Sequence, residues 1–217
     1  MPSYEPFSAH RLTIDGADAT TAAVSPTPSP SSSIPPTCEP YASAGADTLC
    51  LVQTITLYDA QSNAPGNQAY VAYGVLHFCG DACLQAGVNP CYPVAGGSGT
   101  ASDPITFAAD PTIFPPGSQV YVPFLSRYFI MEDDCPGCAG SEHMDLWLGI
   151  GTTAIMTACA TSLSGHQIPI IQHPPPDLPV VTTPLWDGTQ CYVPPALPPA
   201  PYTPLDQRLR AVRSQPS

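Results

Sequence analysis

Alternation of apolar and polar residues predicts that this chain is mainly β. The alternation is clearest in LVQTITLYDA at 51–60 and in HMDLWLG at 143–149, and a period of two is that of a strand with one buried face. Turn-forming Gly, Pro, Asn and Asp bound each run. The predicted strands span 51–60, 69–78, 103–108, 118–124, 126–133, 143–149 and 167–172, and one helix is predicted at 152–163. Short elements of this kind indicate a small, mainly β barrel.

The two ends of the chain lack this pattern. Residues 1–37 finish in a Ser/Thr/Pro tract that cannot bury a core, and such tracts are typical both of O-glycosylated stalks and of plain disordered linkers. Residues 194–217 are predicted to be a disordered tail. The folded domain is therefore expected to span 38–193. Its last part, after His173, is too proline-rich for a central strand and is expected to be strapped over the barrel through Cys191.

Charge restricts the class of partner. The net charge is -12, the chain has no Lys, and three of its five cationic residues fall in the last ten positions, at Arg208, Arg210 and Arg213. Nucleic acid requires cations that neutralise phosphate, so this composition argues against it and against an anionic membrane surface. A neutral polymer such as a polysaccharide makes no such demand. We expect a monomer without a cofactor.

The cysteines are dense and scattered, which favours a disulfide framework in an oxidising compartment. An alternative is a four-thiolate zinc site built from Cys79, Cys83, Cys135 and Cys138. The N-terminus shows no signal peptide, yet the cysteines carry more weight, and we expect a secreted, extracellular protein. The nine candidates are Cys38, Cys50, Cys79, Cys83, Cys91, Cys135, Cys138, Cys159 and Cys191.

Motifs between 50 and 173 resemble the double-psi β-barrel superfamily, which includes expansins, barwin-like proteins, family 45 glycoside hydrolases, rare lipoprotein A and membrane-bound lytic transglycosylase A. The resemblance is closest to an uncharacterised, secreted, mostly fungal branch. It implies a six-stranded double-psi β-barrel with long loops, one short helix and proline-rich tails. The matching motifs are the Pro116-Gly117 turn, the strand Val120-Tyr121-Val122, the runs Gly99 to Ala108 and Glu132 to Cys138, and His143 to Trp147.

The resemblance also implies which acids carry chemistry. Asp145 matches the general acid of the family 45 enzymes, and Asp133 matches a residue of the same groove. Asp59 stands near the position of the base, and Asp110 matches a third aspartate of the lytic transglycosylase pattern. Each has a structural alternative, because Asp59 and Asp110 are also typical turn formers and Asp133 could bond a loop amide. Glu132 and Asp134, which flank Asp133, are expected to face solvent.

Aromatic residues near these acids are candidates for stacking on sugar rings. Trp147 shares a strand face with Asp145 and could lie in the groove or in the core, and His143 on that face is expected to orient a neighbour by hydrogen bonding rather than to bind a metal. No metal site is predicted. The substrate-binding candidates are Tyr58, Trp147, His143, Asp110 and Tyr128, with Tyr73 as a further aromatic.

Three functions remain open at the level of sequence. The first is an endo-glycosidase or lytic transglycosylase acting on a β-1,4-linked cell-wall polysaccharide through an Asp general acid. The second is a non-catalytic, expansin-like protein that binds or loosens the wall. The third is a barwin-like or kiwellin-like secreted effector. A shared fold does not choose among them.

Overall fold

The computed structural model describes residues 35–63, 69–77, 93–151 and 154–194. Within them the chain is mainly β, with a closed six-stranded barrel and a single short α-helix, and this confirms the predicted fold class. The elements are β1 (Thr48–Asp59), β2 (Ile105–Ala109), β3 (Gln119–Val122), β4 (Arg127–Asp134), β5 (His143–Gly149), α1 (Ala154–Leu163) and β6 (Gly165–Gln172), with 3-10 turns at Tyr41–Ser43 and Pro136–Cys138.

The barrel mixes parallel and antiparallel pairs. The strand order is β1-β5-β2-β4-β3-β6, closed by the pairing of β6 with β1. The pairs β1/β5 and β2/β4 are parallel and the other four are antiparallel. Exchanging the first three strands with the last three leaves every pairing and its direction unchanged. The pairing scheme therefore has an internal two-fold pattern, and it brings the ends of β2 and β4 beside the start of β5.

The core is formed by the apolar faces of these strands. Phe107 of β2 pairs in register with Leu146 of β5 and with Met131 of β4, and all three side chains are fully buried. Directly paired residues point to the same side of a sheet, so one apolar row crosses three strands. Burying each such side chain stabilises the folded state by about 1.5–3 kcal/mol relative to leaving it exposed.

The predicted strand at 69–78 is wrong over its described part, residues 69–77. This segment contains one isolated bridge, between Tyr70 and Val94, and no strand. Gly74 has a φ of 53°, which breaks an extended run. The amide groups of the segment donate instead to the acids at the end of β4. The other predicted elements are present, with ends shifted by at most three residues, except that residues 152–153 of the helix lie outside the described part.

The proline-rich segment 173–194 lies against the outside of the barrel. Proline carbonyls are acceptors without a matching N–H, and the barrel supplies the donors. The hydroxyl of Tyr121 donates to the Pro179 carbonyl at 2.6 Å, and that of Tyr128 donates to the Pro175 carbonyl at 2.5 Å. A disulfide between Cys159 of α1 and Cys191 holds the far end of this segment, which we call the strap.

Two further disulfides connect local segments. Cys38 pairs with Cys50 at the start of β1, and Cys135 pairs with Cys138 in the turn after β4. The second bond takes up two of the four thiolates of the alternative zinc set. The other three cysteine candidates, at 79, 83 and 91, lie outside the described residues, as do residues 1–34 of the predicted linker and 195–217 of the predicted tail. No helix in the described part is long and apolar enough to cross a membrane.

Replacing Cys159 and Cys191 by Ser is expected to lower the free energy of unfolding by about 3–4 kcal/mol, because the crosslink closes a loop with a sequence separation of 32. The matched control replaces Cys135 and Cys138, which are separated by 3 and should cost roughly half as much. Urea denaturation followed by tryptophan fluorescence measures both. A larger loss in the control would contradict this account of the strap.

Candidate functional site

Four residues form a row across four neighbouring strands. Thr56 of β1 pairs with Asp145 of β5, Asp145 pairs with Ala108 of β2, and Ala108 pairs with Asp133 of β4. Paired residues share a face, so both aspartates point to the same side. One strand separates them, which places their Cα atoms on the order of 10 Å apart. The methyl group of Ala108 leaves the space between the two carboxyl groups open.

This row opens into a groove of about 290 Å³. The carboxyl groups of Asp133, Asp134 and Asp145 and the ring of Tyr58 line it, and the turn that holds the Cys135–Cys138 disulfide forms one end. Asp134 is exposed, as expected, and it also borders the groove. Three acids therefore face one cleft, and they differ in how deeply each side chain is buried.

Asp145 ends a chain of hydrogen bonds. The Thr56 hydroxyl donates to Oδ1 of Asp145 at 2.7 Å, and Nε2 of His143 lies 2.7 Å from the same hydroxyl oxygen. Burial raises the pKa of the Asp145 carboxyl, against the lowering effects of Thr56 and His143. Burial also lowers the pKa of His143. A partly exposed carboxyl group with a raised pKa can hold a proton, and the Thr56 hydroxyl can pass one to or from the imidazole.

Asp133 is anchored by its surroundings. Its Oδ1 accepts the backbone N–H groups of Ala72 and Asp134, each at 2.9 Å, and its Oδ2 accepts the Tyr58 hydroxyl at 3.2 Å. The residue is 6% exposed. Burial raises its pKa, while the bonds to Ala72, Asp134 and Tyr58 lower it. Both oxygens accept hydrogen bonds, which hold the Asp133 side chain in place at the wall of the groove.

Glu132 was expected to face solvent, and this is wrong. The side chain is fully buried. Its Oε1 accepts the N–H groups of Leu76 at 2.5 Å and His77 at 3.1 Å, and its Oε2 contacts Nδ1 of His77 at 2.5 Å and the hydroxyl of Thr106 at 2.8 Å. The pairing of β2 with β4 skips Glu132, because Phe107 pairs with Met131 and the next residue pairs with the one after Glu132. This β-bulge overturns the simple alternation on which the expectation rested.

His77 joins Glu132 to a second acid, Asp103. Its Nε2 lies 3.2 Å from Oδ1 of Asp103. The hydrogen bond to Glu132 raises the pKa of His77 against the effect of burial. Burial raises the pKa of Glu132, but the bonds from His77, Leu76 and Thr106 outweigh it and leave that pKa lowered. Sequence reasoning missed this cluster because its members are far apart in the chain, and the motifs that contain Asp103 and Glu132 do not show that these two acids meet at His77.

Asp59 and Asp110 do not enter the groove. Oδ1 of Asp59 accepts the N–H groups of Gln61 and Ser62, at 3.0 and 2.9 Å, and so closes the turn after β1. Oδ1 of Asp110 accepts the N–H of Thr112 at 2.8 Å, and its Oδ2 accepts that of Gly140 at 2.7 Å. These bonds lower the pKa of Asp110, that from Gly140 most. Asp110 therefore ties the turn after β2 to the loop before β5.

The aromatic candidates divide between the groove and the core. Tyr58 and Trp147 pack edge to face with ring centroids 5.2 Å apart, and both are buried. Tyr73, half-buried, packs against the core, and the carboxylates of Asp134 and Asp133 help to raise its pKa after burial does. Tyr128 lies elsewhere, under the strap. Tyr58 is thus the aromatic side chain that the groove shares with the acids.

The fold and the site together define a six-stranded mixed β-barrel with an acid-lined groove. The model of the family described as the DDB_G0273701 N-terminal domain matches residues 52–192, and the chain belongs to this family. A relative from Dictyostelium discoideum, the uncharacterized protein DDB_G0273701/DDB_G0273221, is 34% identical over 142 residues, which are 62% of this chain and 56% of the relative. The match thus spans little more than half of that relative. No solved structure matches this chain.

The His77–Glu132 pair predicts a pH dependence of stability. The pKa of His77 is raised from 6.5. Its contribution to the free energy of unfolding is therefore complete below about pH 6.5 and is lost as the pH rises through the raised pKa. The pKa of Glu132 is lowered from 4.5. Its contribution to the free energy of unfolding is therefore complete above about pH 4.5 and is lost as the pH falls through the lowered pKa. The stability lost in His77→Gln should therefore be largest between these values and smaller at about pH 8.5.

Urea denaturation of wild type and His77→Gln at about pH 5.5 and 8.5 measures this difference and cancels the other titrating groups. The control is His166→Gln, since His166 is exposed and bonds the Thr54 hydroxyl rather than an acid. A stability difference for His77→Gln that stays constant or grows with pH would show that the pair is not an ion pair.

Proposed function

We propose that the groove binds a polysaccharide chain of the cell wall and that Asp145 protonates a glycosidic oxygen there. The observation that carries this proposal is the environment of Asp145: a carboxyl group with a raised pKa, bonded to Thr56 and His143, at the wall of an open groove. A carboxyl group whose pKa is raised by burial and which reaches a cleft has the properties of a general acid.

The barrel topology supports the resemblance to the double-psi β-barrel superfamily. That resemblance implies a six-stranded barrel whose motif acids face one groove. The two-fold pairing pattern is compatible with it, and Asp133 and Asp145 share a face in register. The three disulfides support a secreted, extracellular location. The net charge of -12 favours a neutral β-1,4-glycan over an anionic polymer in the groove itself.

The arrangement of the acids favours a mechanism that uses one carboxyl group. Inverting hydrolysis requires an ionised carboxylate that is free to activate water. Asp133 has both oxygens bonded, and Asp59 closes a turn outside the groove. Asp134 is the exposed acid that remains. A lytic transglycosylase needs a single acid, because a hydroxyl of the sugar attacks, and it fits this groove without a role for Asp134, whereas a two-carboxylate endo-glycosidase would need Asp134 as its base.

A second function is favoured because neither Asp133 nor Asp59 is free to act as the catalytic base. A groove with an anchored Asp133 and a partly exposed Asp145 could hold a glycan without cleaving it, as expansin-like proteins are expected to do. The protein would then act by holding a wall chain in the groove, away from its neighbours. Turnover distinguishes the two functions, since binding is common to both.

Asp145→Asn is expected to lower the rate of glycan cleavage by about 10²–10⁴-fold while leaving glycan binding nearly intact, because the amide keeps the shape of the carboxyl group and removes the transferable proton. Purified protein should be tested on cellulose, glucomannan, chitin and peptidoglycan, with pull-down and new chain ends both measured. The control is Asp47→Asn, an exposed residue at positive φ. A fully active Asp145→Asn would remove Asp145 from the reaction, and turnover in neither form would favour the binding protein.

The cleavage rate should also depend on pH. The acid must carry its proton, so kcat/KM should fall as the pH rises through the pKa of Asp145, which burial raises above 3.8. Thr56→Val removes the bond that lowers this pKa, so it should move the falling limb to higher pH. An unchanged limb in Thr56→Val would argue that another group sets it.

A further inference from the structure

A second cavity of about 410 Å³ lies on the other side of the Tyr58–Trp147 pair from the groove. Trp147 forms one wall, the loop Gly96–Ser98 and Asp103 form another, and Leu185 of the strap closes a third. Arg127 of β4 also lines it, so we call it the Arg127 cavity. Its volume is in the range of small-molecule sites, about 300–1,000 Å³.

Arg127 forms no ion pair with any residue that the structure describes. Its side chain is fully buried, one Nη2 bond goes to the carbonyl of Thr183, and its guanidinium lies 4.7 Å from the ring centre of Tyr192. The Nε and Nη1 groups have no acceptor among the described residues, and the buried hydroxyl of Tyr192 has no partner there either. Arginine cannot shed its charge as other buried groups do. A buried cation with unused donors has the charge and the hydrogen-bonding capacity to bind an anion.

The walls of the cavity restrict that anion. Asp103 carries an ionised carboxylate whose pKa is lowered by its bonds to Ser98 and His77, and it would repel a doubly charged group. A single carboxylate suits Arg127, since guanidinium and carboxylate have matching planar geometry. Trp147 and Leu185 offer apolar surface, on which the C–H face of a sugar ring packs, and the Asp103 carboxylate can accept a sugar hydroxyl.

We propose that the Arg127 cavity binds a sugar acid, with its carboxylate on Arg127, its ring against Trp147 and a hydroxyl on Asp103. The ligand is either a free hexuronate or a uronate residue of a polysaccharide. This site is separate from the groove and does not depend on catalysis by Asp145. It adds recognition of a negatively charged sugar to a protein whose overall charge would repel one.

The first test uses the wild-type protein and calorimetric titration with glucuronate, glucuronamide and glucose. Glucuronate should bind at least about tenfold more tightly than the neutral amide, because hydrogen bonds to a charged group are the stronger ones. Equal binding of glucuronate and glucuronamide would overturn the proposal. So would the failure of both glucuronate and a short oligogalacturonide to bind. Binding of the oligomer alone would identify a polysaccharide residue as the ligand, and binding of the monosaccharide would identify a free sugar acid.

Variants locate the site. Arg127→Gln should lose the preference for the acid over the amide, and Asp145→Asn should keep it. Fluorescence of the two tryptophans reports whether Arg127→Gln folds, and if it does not, the acid–amide comparison on wild type still decides. Loss of glucuronate binding in Asp145→Asn would assign the ligand to the groove and overturn the proposal, whatever the outcome of the cleavage assays.

Discussion

The buried carboxylate of Glu132 organises the part of the barrel that carries the groove. An ionised carboxylate without water costs several kcal/mol unless donors surround it, and Glu132 receives them from Leu76, His77 and Thr106. Those donors come from β2 and from the segment 69–77, which forms no strand of its own. The hydrogen bonds to this one carboxylate therefore hold the segment 69–77 against β4. The same segment places the N–H of Ala72 where it donates to Asp133.

A single extra residue in β4 allows neighbouring acids to serve different purposes. The bulge at Glu132 lets Met131 enter the core while Asp133 lies over Ala108 in the groove, although the two are only two positions apart. In a regular strand they would share a face. Bulges are common beside functional sites because they redirect a side chain without breaking the sheet. The run of three acids in β4 is thus divided among a buried anchor, a groove wall and an exposed carboxylate.

Sequence pattern predicts the barrel well and the site unevenly. The strands of the barrel follow the alternation of apolar residues because each has one face in the core, and the pairing of Thr56 with Asp145 follows once β1 and β5 are neighbours. The environment of Glu132 could not be predicted, since a bulge leaves no mark in residue type. The segment 69–77 misled because its apolar alternation is that of a strand, and only the acids on β4 decide where its N–H groups go. The absence of an ion pair between Arg127 and the described residues is likewise visible only in the folded chain.

The positions of the disulfides that the structure describes bear on the order in which the protein assembles during synthesis. Cys38 and Cys50 leave the ribosome almost together and can join before the barrel exists, whereas Cys159 must wait for Cys191. The barrel strands all precede the strap in the chain, so the barrel can close first with Arg127 still hydrated. Docking of the strap is then the step that removes this cation from water, and in an oxidising compartment the Cys159–Cys191 disulfide holds the docked strap in place, so the burial of Arg127 depends on a bond that forms after the barrel.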